Sequence, residues 1–141
     1  MTEFDNTQGD LYYGSTVEEI YENDPELSLD NALENTVTMD LLEDVLHDYW
    51  EGINADADEI EALSASDDYK LYTVKVHALK SSSRIVGLMK LGDMAYELEL
   101  AGHEIEKGNM DAVSIIREKT PAVLEKYRRY SKIFAPVFEG K

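Results

Sequence analysis

The sequence contains no cysteine, which excludes disulfides, thiolate catalysis and any zinc or iron–sulfur site built on cysteine. No apolar run approaches the length needed to span a membrane, and the N-terminus is acidic rather than basic. Proline and glycine are scarce, with three and eight residues. We therefore expect one cytoplasmic domain, because 141 residues can bury a core without the support of disulfide cross-links.

Basic residues are missing from the first half of the chain. Residues 1–69 hold 21 acidic residues and no Lys or Arg, whereas residues 70–141 hold 13 basic and 9 acidic residues. The net charge of −17 repels nucleic acid and anionic membranes, so neither nucleic-acid binding nor membrane insertion is expected. Solubility alone accounts for much of this acidity. An anion is expected to bind only in the second half.

Sustained β-branched alternation is also missing, and apolar residues recur at helical spacing instead. Thr16 and Glu19 have the spacing of a capping box, which predicts a short helix ending near Asn23. Ser28 predicts a second short turn through Leu33.

Longer amphipathic segments follow these two. Thr38 is predicted to cap a helix that runs to Leu63, followed by a loop at 64–68. The remaining predicted helices cover residues 69–87, 91–108 and 111–119, and a last one starts at Thr120-Pro121 and ends near Phe134.

Helices with short connections predict an all-α fold, namely an up-and-down four-helix bundle with short additional N-terminal helices. We assign residues 29–137 to the bundle and residues 1–28 to an N-terminal extension that is partly disordered or forms a short helix.

His77 lies in the one long stretch without acidic residues, from Tyr69 to Gly92. This stretch carries five cations, namely Lys70, Lys75, Lys80, Arg84 and Lys90. Neutral imidazole is a nucleophile near pH 7, and neighbouring cations favour a group that arrives or stays as an anion, such as phosphate.

A helical projection at roughly 100° per residue predicts that His77 faces solvent. The predicted core face consists of Leu71, Val74, Ala78, Leu79, Ile85 and Val86, with Tyr72 and Val76 at its edge. The residues predicted around His77 are Lys70, Thr73, Lys80, Ser81 and Arg84.

Several alternatives compete with a functional His77. A surface histidine flanked by lysines is common without any function. A metal site is not expected, because His47, His77 and His103 share no ligand spacing and the cations would repel a metal ion. His47 and His103 are expected to be solvated. The small residues Ser81 to Ser83 fit a crowded helix crossing, or they leave His77 open to a partner.

The segment His77-Ala78-Leu79-Lys80-Ser81-Ser82-Ser83, followed by Gly87, resembles the phosphoacceptor motif of histidine-containing phosphotransfer (Hpt) domains of two-component phosphorelays. In that motif Leu and Lys follow the histidine at +2 and +3, then small residues, then Gly at +10. The likeness covers about residues 29–134. One departure is Ser81, because the family usually has Gly there and the larger side chain narrows access.

The resemblance implies roles for three residues. His77 would be the phosphorylated residue, and Lys80 the cation near the phosphoryl group. Glu99 falls where a Gln or Glu of the family reaches back to the imidazole. A carboxylate there would hold Nδ1–H and leave Nε2 free as the nucleophile.

The resemblance also implies a phosphoryl carrier without an ATP site of its own, and the sequence has no phosphate-binding glycine loop. Its partners would be response-regulator receiver domains or a hybrid sensor kinase. The receiver would bring Mg²⁺, so the chain itself needs no cofactor. A monomer is expected, with a docking face formed by Lys70, Thr73, Lys80, Ser81 and Arg84.

Two alternatives remain. The bundle could bind a partner as a non-phosphorylated helical adaptor. A sensor-kinase dimerisation helix fits less well, because the histidine motif of such helices usually reads His-Glu-Leu-Arg-x-Pro and no ATP-binding segment follows here.

Overall fold

The computed structural model describes residues 13–139, and the predictions for residues 1–12 lie outside this range. It contains seven helices: α1 (Val17–Asn23), α2 (Leu29–Thr36), α3 (Met39–Ser66), α4 (Tyr69–Ile85), α5 (Met89–Glu106), α6 (Ala112–Ile133) and α7 (Ala135–Phe138). Between residues 13 and 139 the only β-type pairing is an isolated antiparallel bridge between Leu27 and Leu88. The prediction of an all-α fold is confirmed.

The predicted helix starts are confirmed by side-chain caps. The Thr16 side chain accepts a hydrogen bond from the Glu19 backbone, and the Glu19 side chain caps the start of α1 in return. Ser28 and Thr38 accept in the same way at α2 and α3. These signals could be found in the sequence because a cap involves only neighbouring residues.

The predicted loop at 64–68 is wrong, because α3 continues to Ser66. Asp67 ends the helix in the left-handed conformation, with φ of 66°. The Asp68 side chain then accepts from the Leu71 backbone and starts α4. Two aspartates are therefore enough to end α3 and to start α4, because Asp tolerates the left-handed region and also caps helices.

The predicted break at Thr120-Pro121 is also wrong, because α6 runs through both residues without interruption. Proline removes the N–H that would bond to the Arg117 carbonyl, but both residues are exposed, so water can replace that bond. Thr120 is buried and hydrogen-bonded to the Tyr72 hydroxyl, and buried Ile116 and Val123 lie on either side of it. Packing against the core outweighs the local cost of proline.

The four long helices form a bundle in which α3 contacts α4 and α6, and α5 contacts α4 and α6. The most extensive of these contacts joins α4 to α5. The largest fully buried side chains include Tyr72, Tyr127, Phe134, Leu42, Leu46, Ile53, Leu91 and Leu98. Among residues 13–139, no helix combines the length and the apolar character needed to cross a lipid bilayer.

The N-terminal helices α1 and α2 pack against the C-terminal end of α4. The Tyr21 hydroxyl donates to the Val86 carbonyl, and the Ser28 N–H donates to the Gly87 carbonyl at 2.8 Å. Gly87 has φ of +81°, and a Cβ there would lie 2.3 Å from the Ser28 carbonyl oxygen. Only glycine fits this position. The packing of α1 buries Val17 and Ile20 completely.

The predicted core face of α4 is confirmed only in part: Leu79 and Val86 are buried, as are Tyr72 and Val76 at its predicted edge. The buried residues of α4 are Tyr72, Thr73, Val76, Leu79 and Ser83. Leu71, Val74 and Ile85 are 40%, 57% and 44% exposed instead. Hydrophobicity alone assigned these three to the core, but the helix turns its small and polar residues Thr73 and Ser83 inward. The Ser83 side chain is hydrogen-bonded to the Tyr49 hydroxyl at 2.7 Å, so it is satisfied inside the bundle.

Candidate functional site

His77 lies in the middle of α4 with its side chain 57% exposed, as predicted. The neighbouring helix α5 approaches α4 very closely near this point. A Cβ added to Gly102 would lie 1.9 Å from the Thr73 hydroxyl oxygen, so a residue without a side chain is required there. This close crossing brings the side chains of α5 within reach of the His77 ring.

Glu99 of α5 contacts the imidazole of His77, with 2.9 Å between Oε2 and Nδ1. An ionised carboxylate can only accept hydrogen bonds, so Nδ1 must carry the proton. The second nitrogen, Nε2, then holds a lone pair, and no residue between 13 and 139 hydrogen-bonds to it. The sequence-based expectation for the position of Glu99 agrees with this geometry.

Lys80 is held by the same carboxylate, with 2.7 Å between its Nζ and Glu99 Oε1. The Lys80 ammonium also lies 5.1 Å from the centre of the Tyr96 ring, within range of a cation–π contact. Only 15% of the Lys80 side chain is exposed. The ammonium is therefore already paired and is not a free charge beside His77.

Glu99 is almost fully buried and yet ionised. Burial raises the pKa of its carboxyl, but hydrogen bonds from Lys80, His77 and His103 outweigh it and bring the pKa down to about 2. The carboxylate is therefore charged at all physiological pH values.

His103 is a member of the site that the sequence analysis missed, since it was expected to be solvated. Its Nε2 lies 3.2 Å from Glu99 Oε2, and its Nδ1 lies 3.3 Å from Glu106 Oε1. Hydrogen bonds with Glu99 and Glu106 raise the pKa of His103 above its ordinary value of 6.5. The spacing of four residues between Glu99 and His103 was the available signal.

Two of the three cations predicted around His77 are paired with carboxylates. Lys80 pairs with Glu99, and Arg84 forms an ion pair with Asp93 of α5 at 3.1 Å. Elsewhere in the acid-free stretch, Lys75 pairs with Glu59 of α3 at 3.1 Å. Lys70 is exposed near the start of α4, two turns before His77.

The predicted docking face also needs correction. Thr73 is only 4% exposed, and its hydroxyl donates to the Tyr69 carbonyl at 2.7 Å, so it lies in the α4–α5 contact and not on the surface. Ser81 is half-buried, one turn beyond His77. On the other side of His77, the misassigned apolar residues of α4 form an exposed stripe. We call this the apolar stripe, and it consists of Leu71, Val74, Ala78 and Ile85.

One group of metal-ligating side chains occurs among residues 13–139, where His47, Asp48 and Glu51 bring their ligand atoms within 4.8 Å of one another. The His47 ring lies 5.8 Å from Trp50 and 5.1 Å from Phe138, so it packs against these two rings while part of its side chain stays exposed. Exposed acidic groups of this kind are common without an ion, and the cluster is on a different helix from His77.

The arrangement around His77 is that of a nucleophile. One ring nitrogen is fixed by a buried carboxylate, the other is open, and more than half of the side chain faces solvent. A histidine of this kind can attack an electrophile brought by another molecule. Because its side chain is 57% exposed, the ring can be reached by an electrophile that is carried on the surface of another protein.

Comparison with protein families gives a match to the Hpt domain over residues 44–128, more than half of the chain. A search of curated proteins found no match, and neither did a search of solved structures. The chain belongs to the Hpt domain family. Members of this family are helical phosphocarriers of phosphorelays and not enzymes with an ATP site of their own. The resemblance drawn from the His77 motif is therefore confirmed.

Proposed function

We propose that this chain carries a phosphoryl group on His77, which it accepts from, or donates to, the aspartate of a response-regulator receiver domain. One observation carries this proposal: Glu99 holds Nδ1 of His77 while the ring remains 57% exposed. A histidine that only kept the surface soluble would need no carboxylate behind it. Burying the Glu99 charge costs free energy unless the charge is paired, so its position behind His77 calls for a function.

The transfer step is an in-line displacement at phosphorus. Nε2 of His77 attacks the aspartyl phosphate of the receiver, so that an N–P bond forms while the P–O bond to the aspartate breaks. The aspartate leaves as a carboxylate with the bonding electron pair. The proton on Nδ1 stays in place, and the positive charge that develops on the ring faces Glu99 Oε2.

The residues of this chain supply position and charge compensation. Glu99 fixes the ring so that Nε2 points away from α5, and it stabilises the phosphorylated imidazolium. Lys80 lies one helical turn from His77, and its ammonium offsets the repulsion between the Glu99 carboxylate and the phosphoryl group. We expect most of the stabilisation of the transferring group to come from the receiver and its Mg²⁺.

We further propose that the receiver docks across His77 and the apolar stripe. Val74 and Ile85 are 57% and 44% exposed, and a partner that covers them buries apolar area. Ser81 and Lys70 lie on the same exposed side of α4 and remain proposed contacts. Arg84, held by Asp93, is placed at the edge of this surface.

The alternative function, a helical adaptor that binds without phosphorylation, is favoured by the same stripe, since exposed apolar residues suit any protein partner. It does not account for the carboxylate behind His77.

The test is to mix the chain with phosphorylated receivers and to measure acid-labile label. We expect the wild-type chain to take up label, His77→Gln to take up none, and His47→Gln to behave as wild type. His47 is a matched control because it also lies near a glutamate, with 3.8 Å between its Nε2 and Glu51 Oε2. Label uptake by His77→Gln at the wild-type rate would overturn the proposal, and receiver binding without any label would favour the adaptor.

A further inference from the structure

Two imidazoles share one carboxylate oxygen in this site. Oε2 of Glu99 lies 2.9 Å from His77 Nδ1 and 3.2 Å from His103 Nε2. The other oxygen, Oε1, is paired with Lys80 at 2.7 Å. Any change in the contact between His103 and Oε2 therefore acts directly on the atom that holds His77.

The partners of His103 favour its protonated form. Its Nε2 faces Glu99 and its Nδ1 faces Glu106 at 3.3 Å, and both partners are carboxylates that can only accept. Both contacts are hydrogen bonds only if both ring nitrogens carry protons. A neutral His103 would place a lone pair against one of the two carboxylates, so this geometry is that of the imidazolium.

We infer that His103 is a positioning residue for phosphotransfer at His77, because as a cation it anchors Glu99 Oε2 where that oxygen accepts the proton of Nδ1. This inference rests on the proposed function of His77. His103 does not touch the phosphoryl group or the reacting nitrogen, and it acts only through Glu99.

The anchor matters because a glutamate side chain has three rotatable bonds. With Lys80 on Oε1 and His103 on Oε2, the plane of the carboxylate is fixed from both ends. Loss of the His103 contact leaves Lys80 as the stronger partner, on the oxygen that does not face His77. The carboxylate then turns towards Lys80, and the proton of neutral His77 divides between Nδ1 and Nε2. A ring protonated on Nε2 has no lone pair there and cannot attack phosphorus.

The anchor is therefore sensitive to pH. Glu99 and Glu106 face His103 from its own helix, while α4 presents His77 and Lys80 on the far side of Glu99. Within residues 13–139, α6 pairs no charged group with His103. The two carboxylates raise the pKa of His103, so the cation persists to higher pH than in an ordinary histidine and is lost as the pH rises through the raised value.

The experiment measures the tautomer of neutral His77 by the nitrogen chemical shifts of labelled histidines, over a pH series. In the wild-type chain we expect the share of Nδ1–H to fall as His103 loses its proton. His103→Arg, a permanent cation, should keep that share high with no step. His103→Gln should lower it at every pH, and His47→Gln is the control that should leave the wild-type step unchanged.

Transfer rates complete the test. His103→Gln should lower the maximal rate of transfer from the receiver by up to about fivefold, as expected for the loss of a half-exposed ion pair, and should leave the receiver concentration at half-maximal rate unchanged. Phosphoramidate, a small phosphoryl donor that needs no docking, should show the same loss. His103→Arg should restore both rates, which a purely structural role of the imidazole would not predict.

The inference is overturned if His103→Gln has the wild-type His77 tautomer and the wild-type rates. That outcome would leave the proposed function intact, as long as label still goes to His77. Conversely, a wild-type chain that takes no label from any donor would contradict the proposed function, and the tautomer series would still decide whether His103 positions Glu99.

Discussion

Glu99 Oε2 lies 2.9 Å from Nδ1 of His77, although the two residues are 22 positions apart and lie on different helices. The contact exists because α4 and α5 cross closely at Thr73 and Gly102. The reactivity of His77 thus depends on the packing of α4 against α5. Substitutions can test both the reactivity of His77 and the helix crossing.

Replacement of Glu99 should separate hydrogen bonding from charge. Glu99→Gln keeps an acceptor but loses the charge, so we expect transfer to slow several-fold, in line with a difference of about 1 kcal/mol between charged and neutral hydrogen bonds. Glu99→Ala removes the acceptor as well and should cost at least tenfold. The measurement is the rate of label transfer from a phosphorylated receiver, with circular dichroism to show that the bundle is intact. Equal rates for all three chains would show that the carboxylate is only a buried counter-ion.

Removal of Lys80 should change the pKa of Glu99, because the two side chains are paired. Lys80→Ala leaves Oε1 without its ion pair, so the pKa of Glu99 should rise from its low value, and transfer should slow or the phosphohistidine should be shorter-lived. Lys75→Ala is the matched control, because that lysine pairs with Glu59 and not with the site. If Lys80→Ala and Lys75→Ala both transfer at the wild-type rate, the Lys80 side chain contributes nothing to phosphotransfer.

Acid titration should reveal the ionisation of Glu99. The folded-state pKa of Glu99 is about 2, below the ordinary value of 4.5, so the stabilisation is fully present above pH 4.5 and is lost as the pH falls towards 2. The difference in unfolding free energy between the wild-type chain and Glu99→Gln should therefore shrink across that window. Denaturant unfolding at a series of pH values measures it. A difference that stays constant down to pH 2 would show that the pKa of Glu99 is not lowered.

Two helical glycines should respond oppositely to alanine. Gly102→Ala places a Cβ 1.9 Å from the Thr73 hydroxyl oxygen, so we expect destabilisation of about 1–3 kcal/mol. Gly52→Ala meets nothing closer than an Asp56 carboxylate oxygen at 3.4 Å and should stabilise the chain by roughly 0.5–1 kcal/mol.

Thermal unfolding of the two variants measures both effects. Adding Thr73→Ala to Gly102→Ala should recover part of the loss, because it removes the hydroxyl and the methyl group that the new Cβ meets. A Gly102→Ala chain as stable as the wild type would mean that the helices do not cross at this distance.

The apolar stripe should matter to the receiver and not to small donors. Val74 and Met110 are both 57% exposed, and Met110 lies in the connection between α5 and α6. Val74→Asp should weaken receiver-dependent transfer by at least tenfold, because covering a valine contributes about 1.5–3 kcal/mol. Met110→Asp should have no effect. Phosphoramidate should label all three chains alike, and a loss with phosphoramidate would place Val74 in the reaction and not in docking.

Local signals explain what the sequence predicted well. Thr16, Ser28 and Thr38 cap helices through contacts with residues three positions away, and such contacts are visible in a single sequence. The position of Glu99 followed from the family resemblance, not from periodicity. The assignment of residues 29–137 to one domain stays a prediction, since the family match begins at residue 44.

Tertiary packing explains what the sequence did not predict. Pro121 sits inside α6 because the buried residues on both sides of it keep the helix on the core. The polar core face of α4 follows from the close crossing at Gly102 and from the Tyr49 hydroxyl that satisfies Ser83. The pairing of Arg84 with Asp93 joins helices whose relative rotation no local pattern encodes.

The most direct test is to phosphorylate the wild-type chain with a receiver and to identify the modified atom by phosphorus and nitrogen magnetic resonance. We expect a single phosphoryl group, on Nε2 of His77, with a proton on Nδ1 that exchanges slowly because Glu99 holds it. A phosphoryl group on Nδ1 of His77, or on any other residue, would show that Glu99 does not direct phosphotransfer to Nε2 of His77.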